Sequence, residues 1–179
     1  MLTATAIEEI FTLEDYLKNP PEHMEWVDGQ LLEKNGMTLP HGEIQLNLGF
    51  YWRSYAISSG QGGKVYTDTP CRTIKQGRRP DVAYLTAELA AQYGKAAALP
   101  MCFPLIAEIA SPTDYVEEFF AQTKKYLESG CQEVWLILPE SKWIFVITQT
   151  QKLWFASGDV ASTQVMLPGF SVAVDELLP

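Results

Sequence analysis

The chain has 179 residues, 47% of them apolar and 20% charged, and carries a formal net charge of −9 at pH 7. That length suits a single domain over residues 1–179, because folding at this size hides roughly 70% of the unfolded surface and leaves room for a real core. The composition excludes a disordered or fibrous chain, and the acidic balance weighs against a nonspecific grip on nucleic acid, whose affinity comes mostly from phosphate contacts.

The opening MLTATAIEEIFTLEDYLKNP has no basic stretch followed by an apolar segment, and no uncharged run approaches the length of a membrane span. A cytoplasmic protein is therefore expected. A short helix over Leu13 to Leu17 should stop before Asn19-Pro20-Pro21, since the residue ahead of a proline is pushed out of the helical region. The runs HMEWV and QLLEK flank Asp28-Gly29, a strong hairpin signal. From Gly42 to Ser59, apolar residues at Ile44, Leu48, Tyr51, Trp52 and Tyr55 predict an amphipathic helix, ended by Gly60, Gly62 and Gly63. KVYTDTPCRTI and DVAYL, joined by KQGRRP, read as adjacent strands, and TAELAAQYG reads as a helix. Leu105 to Ala110 is an apolar run broken only by Glu108, the pattern of a strand covered on both faces, and Pro112 closes it. Residues 115–129 form a helix with Val116, Phe119, Phe120, Thr123 and Leu127 on one stripe, and Gly130 sits at its end. EVWLIL, WIFVIT and KLWFA are consecutive strands. This order, without an internal repeat, is that of one mixed α/β (α+β) domain. Cys71, Cys102 and Cys131 lack CxxC spacing and are expected as reduced, buried thiols, while His23 and His41 leave little from which to build a structural zinc site.

Asp81 and Glu108 stand out because an ionised carboxylate in apolar surroundings costs several kcal/mol or more unless it is paired or bound to a cation. In an alternating strand, Leu105, Ala107 and Ile109 share one face while Ile106, Glu108 and Ala110 share the other. Glu108 could simply pair with Arg78 or Arg79, and Asp81 could be a surface residue at a strand start. Two acids brought together instead need a cation, and Mg²⁺ suits one or two carboxylates with water in its remaining positions. Such a site does hydrolytic chemistry. The segment CRTIKQGRRPD gathers Arg72, Lys75, Arg78 and Arg79, either as solvated turn residues or as a local positive field for DNA.

The ordered series MEWVDGQLLEK, Pro40-His41, RRPDVAYL, PLIAEIASPTD, KKYLESGCQEVWLILP and LPGFSVAVDELL, running from Thr12 to Leu178, resembles the Uma-type restriction endonuclease family, a domain-of-unknown-function branch of the PD-(D/E)XK nuclease superfamily. The resemblance implies a restriction-endonuclease-like core, a mixed central β-sheet flanked by helices, and a Mg²⁺-dependent (Mn²⁺ in its place) DNA endonuclease. Asp81 matches the PD aspartate, Glu108 the second acid, and Glu25 an acid of the amino-terminal hairpin beside the site. His41 is a further candidate ligand, with a structural role at the helix start as its alternative. The pattern departs where a lysine is due: Ala110 follows Glu108 by two residues, and the family's helical lysine position holds Gln122. Glutamine can hold a water but brings no positive charge; Lys125, one turn further on, could reach the same side. Two functions follow, a DNA-cleaving hydrolase or a nuclease-fold module that has lost cleavage and acts as a binding partner. Aromatics among Trp135, Trp143 and Trp154 could also furnish the face of a homodimer.

Overall fold

The computed structural model describes residues 11–34 and 37–178. Its elements in order are α1 (Leu13–Lys18), β1 (Met24–Val27), β2 (Gln30–Glu33), α2 (Leu39–Ser58), β3 (Lys64–Thr67), β4 (Cys71–Arg72), β5 (Gly77–Arg78) and β6 (Val82–Leu85), followed by α3 (Ala87–Tyr93), β7 (Leu105–Ile109) and α4 (Val116–Glu128), then β8 (Glu133–Leu138), β9 (Trp143–Thr148), β10 (Lys152–Phe155), β11 (Val160–Ser162), β12 (Ser171–Ala173) and α5 (Val174–Leu177). The central sheet has six strands in the order β10-β9-β8-β7-β6-β3, beside a four-stranded sheet β2-β1-β5-β4 and a hairpin of β11 with β12. Only β7 and β8 run parallel within the central sheet, and α4 makes the crossover between them, as parallel neighbours require.

Helices cover both faces of this mixed sheet. On one face Ile44, Leu48 and Trp52 of α2 pack with Leu105, Ala107, Ile109, Trp135 and Ile137, and the Trp52 and Trp135 rings meet edge to face at 5.9 Å. On the other, Tyr126 of α4 packs with Ile106, Val134 and the three free, buried cysteines. The alternation expected along β7 is therefore present, and it aims Glu108 at the α4 side. Asp28 and Gly29 adopt the two positive φ angles, 50° and 88°, that a tight Asp-Gly hairpin needs. Gly77 is required for a different reason: a Cβ there would lie 2.3 Å from the Tyr16 ring of α1.

Three expectations need correction. KVYTDTPCRTI is not one strand: β3 ends at Thr67, Asp68 turns with φ of 48°, and Cys71–Arg72 crosses to pair with Gly77–Arg78 in the smaller sheet. The buried stripe of α4 is rotated, with Thr123 and Tyr126 inside and Val116 and Phe120 exposed, because the helix presents Tyr126 to Glu108. Trp135 is fully buried and cannot contribute to a surface, whereas Trp143 and Trp154 are exposed and stack edge to face at 5.2 Å. No helix among the described residues is long and apolar enough to cross a membrane.

Candidate active site

Five chain segments, the β1–β2 hairpin, the start of α2, the approach to β6, the end of β7 and α4, converge on one cleft of about 320 Å³, lined by residues that include Glu25, Lys34, His41, Asp81, Glu108, Ser111, Gln122 and Tyr126. Asp81 stands just before β6 and Glu108 near the end of β7, and the antiparallel register of these strands, with Val82 opposite Ala107, brings the two acids side by side. The Asp81 N–H reaches Glu108 Oε2 at 3.4 Å, and Ile109 N–H donates to Asp81 Oδ2 at 2.7 Å. Tyr126 donates its hydroxyl to Glu108 Oε1 at 2.6 Å. Glu108 thus has a tyrosine and a backbone amide as partners, and no arginine.

The positive charge at this pair comes from Lys34, which follows β2. Its Nζ lies 2.6 Å from Asp81 Oδ1 and 2.7 Å from Asp68 Oδ1, and it also donates to the Arg79 carbonyl at 2.6 Å. The left-handed turn at Asp68, a conformation that aspartate tolerates better than most residues, presents that carboxylate to Lys34 and to Gln45 Nε2 at 2.7 Å. Burial works against the charge on Lys34, but Asp81, Glu108 and Asp68 outweigh it and hold the ammonium well above its ordinary range. Burial likewise pushes the Asp81 carboxyl up, yet Lys34 and the His41 ring prevail and bring it down to about 2. Glu108 goes the other way: burial, then the neighbouring charge of Asp81, drive its carboxyl well above the usual range despite Lys34 and Tyr126. One ammonium shared among Asp68, Asp81 and Glu108 leaves the site short of positive charge.

Glu25, on β1, borders the cleft with both oxygens engaged, Oε2 by Arg78 Nη1 and Oε1 by the Arg79 N–H, each at 2.7 Å. His41, in the first turn of α2, holds Nε2 3.3 Å from Asp81 Oδ1 without the alignment of a hydrogen bond, and its Nδ1 is 3.4 Å from Ser111 Oγ. Gln122 reaches the cleft from α4, and its Nε2 is buried without a partner. Lys125 is not brought to the acids; it lines a separate depression with Asp28, Lys75 and Glu128. Of the basic residues expected to face DNA, two are turned inward. Arg79 spends its guanidinium on the carbonyls of Met24, Asp68 and Pro21, and Arg78 is spent on Glu25 and Gln76. Arg72 pairs with Glu14 at 2.9 Å, and Lys75 stays exposed.

Among the described residues no three His, Cys, Asp or Glu side chains are gathered as a metal centre. The donor set still fits a hard divalent ion, because Mg²⁺ needs only one or two carboxylates and the raised Glu108 carboxyl marks a place where a further positive charge is wanted. Lys34, Asp68 and Tyr126 escaped the reading of the sequence. Lys34 ends an ordinary strand, and its partners lie 34 and 47 residues further along the chain, so nothing local marks it.

No curated protein matches the chain. Among solved structures, the crystal structure of "a putative nuclease belonging to DUF820" from Anabaena variabilis ATCC 29413 is similar, with a TM-score of 0.81 and 18% identity over 93% of this chain and 97% of that one. At that identity the likeness speaks for the fold alone, a mixed sheet between helices. The family model described as "Putative restriction endonuclease" matches residues 7–175, and by that match, over nearly the whole length that carries Glu25, Lys34, Asp81 and Glu108, the chain belongs to the Uma2 family.

Proposed function

We propose that the protein is a metal-dependent nuclease that hydrolyses phosphodiester bonds in DNA, with Asp81 and Glu108 as the residues that hold Mg²⁺ or Mn²⁺. The observation that carries this reading is the juxtaposition of two carboxylates, Asp81 buried and Glu108 half-buried, in an open cleft. A divalent ion bound there would lower the pKa of a coordinated water and stabilise charge on a phosphoryl oxygen. Tyr126 fixes the rotamer of Glu108, and the Ile109 N–H fixes that of Asp81. Lys34 supplies, beside both acids, the positive charge that the PD-(D/E)XK pattern places on a lysine and that Gln122 lacks. The unpartnered Nε2 of Gln122 remains available to donate to a water or to a phosphate oxygen in the cleft.

Cleavage of supercoiled plasmid and of single-stranded DNA, with Mg²⁺, Mn²⁺ or EDTA, tests the proposal. Nicking that requires the ion and falls by at least about 10²-fold in Asp81→Asn supports it; nicking that survives Asp81→Asn contradicts it. The second reading, a nuclease fold that binds without cleaving, is favoured by two observations: Lys34 already engages Asp81, and Gln122 stands in the helical lysine position. Ion binding without turnover on any nucleic acid would select it.

A further inference from the structure

The side of α2 turned away from the core is apolar as well. Leu39, Glu43, Leu46, Phe50, Arg53 and Ile57 are all exposed, the four apolar ones at 92%, 71%, 62% and 63% in chain order. Their spacing alternates four and three residues, the repeat that keeps a seam straight along a helix facing another helix. A helix that is apolar on opposite sides is one that is covered on both, and among the described residues only the side carrying Ile44, Leu48 and Trp52 is covered.

The six residues are symmetric about Leu48. Reversed end to end, the seam sets Ile57 opposite Leu39, Arg53 opposite Glu43 and Phe50 opposite Leu46. Neither the Glu43 nor the Arg53 side chain has an ion pair or hydrogen bond of its own among the described residues. We propose that α2 is a homodimer interface, in which two copies of the chain pack this helix antiparallel across a two-fold axis at the level of Leu48. Apolar residues then meet apolar ones, and two Glu43–Arg53 pairs close the seam. Parallel pairing would place Glu43 on Glu43 and Arg53 on Arg53, so the charges select the antiparallel arrangement. The 4-3 spacing suits a shallow crossing of about 20°. With α2 at 20 residues, or about 30 Å, the seam falls at the low end of specific interface sizes, and the dimer is reversible. A second exposed apolar surface among the described residues, a groove between α4 and the β9–β10 face lined by Phe120, Phe145 and Trp154, carries Lys124 and Lys152 and has no such self-complementarity.

Sedimentation equilibrium from roughly 1 to 300 μM tests this directly. The wild type is expected to move reversibly from 20.1 kDa to twice that mass. Glu43→Arg and Arg53→Glu should each weaken association by about ten-fold or more, and the double exchange should restore it to within about three-fold. An equimolar mixture of the two single variants should associate as tightly as the wild type, because every crossing then pairs opposite charges. All six positions are exposed, so the variants keep the fold, which circular dichroism verifies. A wild type that stays monomeric throughout overturns the proposal. So does a mixture that fails to associate, or a dimer that survives Leu46→Asp and is lost in Trp154→Ser.

Discussion

Two neighbouring carboxylates with opposite shifts make the residue scale testable through pH. Asp81, held at about 2 against an ordinary 3.8, contributes stability that is present above about pH 4 and lost as the pH falls toward 2. Glu108 is raised from an ordinary 4.5, so its contribution is complete below that value and is lost as rising pH strips its proton. Glu108→Gln, which mimics the protonated carboxyl, should therefore stabilise the ion-free protein by about 1 kcal/mol near neutral pH. The gain should widen as pH rises and vanish in acid, as read by urea denaturation across the pH range. Lys34→Met should do the reverse, costing about 3 kcal/mol by leaving Asp81 buried without its ammonium. Adding Asp81→Asn to Lys34→Met should recover part of that loss; an additive double variant would mean that the two side chains do not act as a pair.

Among the elements, β8 shows how a buried charge can be structural and nothing more. Glu133 is fully buried and has no ion-pair partner among the described residues; its carboxylate accepts from Trp135 Nε1 at 2.9 Å and from the backbone N–H groups of Gln164, Val165 and Met166 at 3.0, 2.7 and 3.1 Å. It ties the segment after β11 to the central sheet. Glu133→Ala should cost about 3 kcal/mol by orphaning those donors, with no change in ion affinity. Equal stability of variant and wild type by chemical denaturation would contradict this. The contrast with Glu108 explains what the sequence could tell. Both are acids inside apolar strands, and only the long-range partners, amides for one and a second carboxylate for the other, separate a strut from a site. Hairpins and long helices were legible because their signals are local: Asp28-Gly29, the inward stripe of Ile44, Leu48 and Trp52 on α2, the glycine after α4; the apolar outer side of α2 was not part of that expectation. The break at Asp68 and the rotation of α4 were not, since the Lys34 ammonium and the Glu108 carboxyl decide them from across the fold.

For the molecule as a whole, the ordered motifs announced the sheet-and-helix architecture and the meeting of Asp81 with Glu108, yet not the lysine paired with Asp81. Five positions of the family pattern, Glu25, His41, Asp81, Glu108 and Gln122, reach one cleft; Lys125 and the inward-turned Arg78 and Arg79 show that charge read from sequence says little about where a side chain points. The account stands on the two acids acting as one cation site, and calorimetric titration of the protein with Mn²⁺ at two pH values tests that most directly. It predicts one ion per chain, affinity that rises with pH as the Glu108 proton is displaced, and loss of binding by about ten-fold or more in both Asp81→Asn and Glu108→Gln. Absence of binding to the wild type, or affinity indifferent to both substitutions, would contradict it.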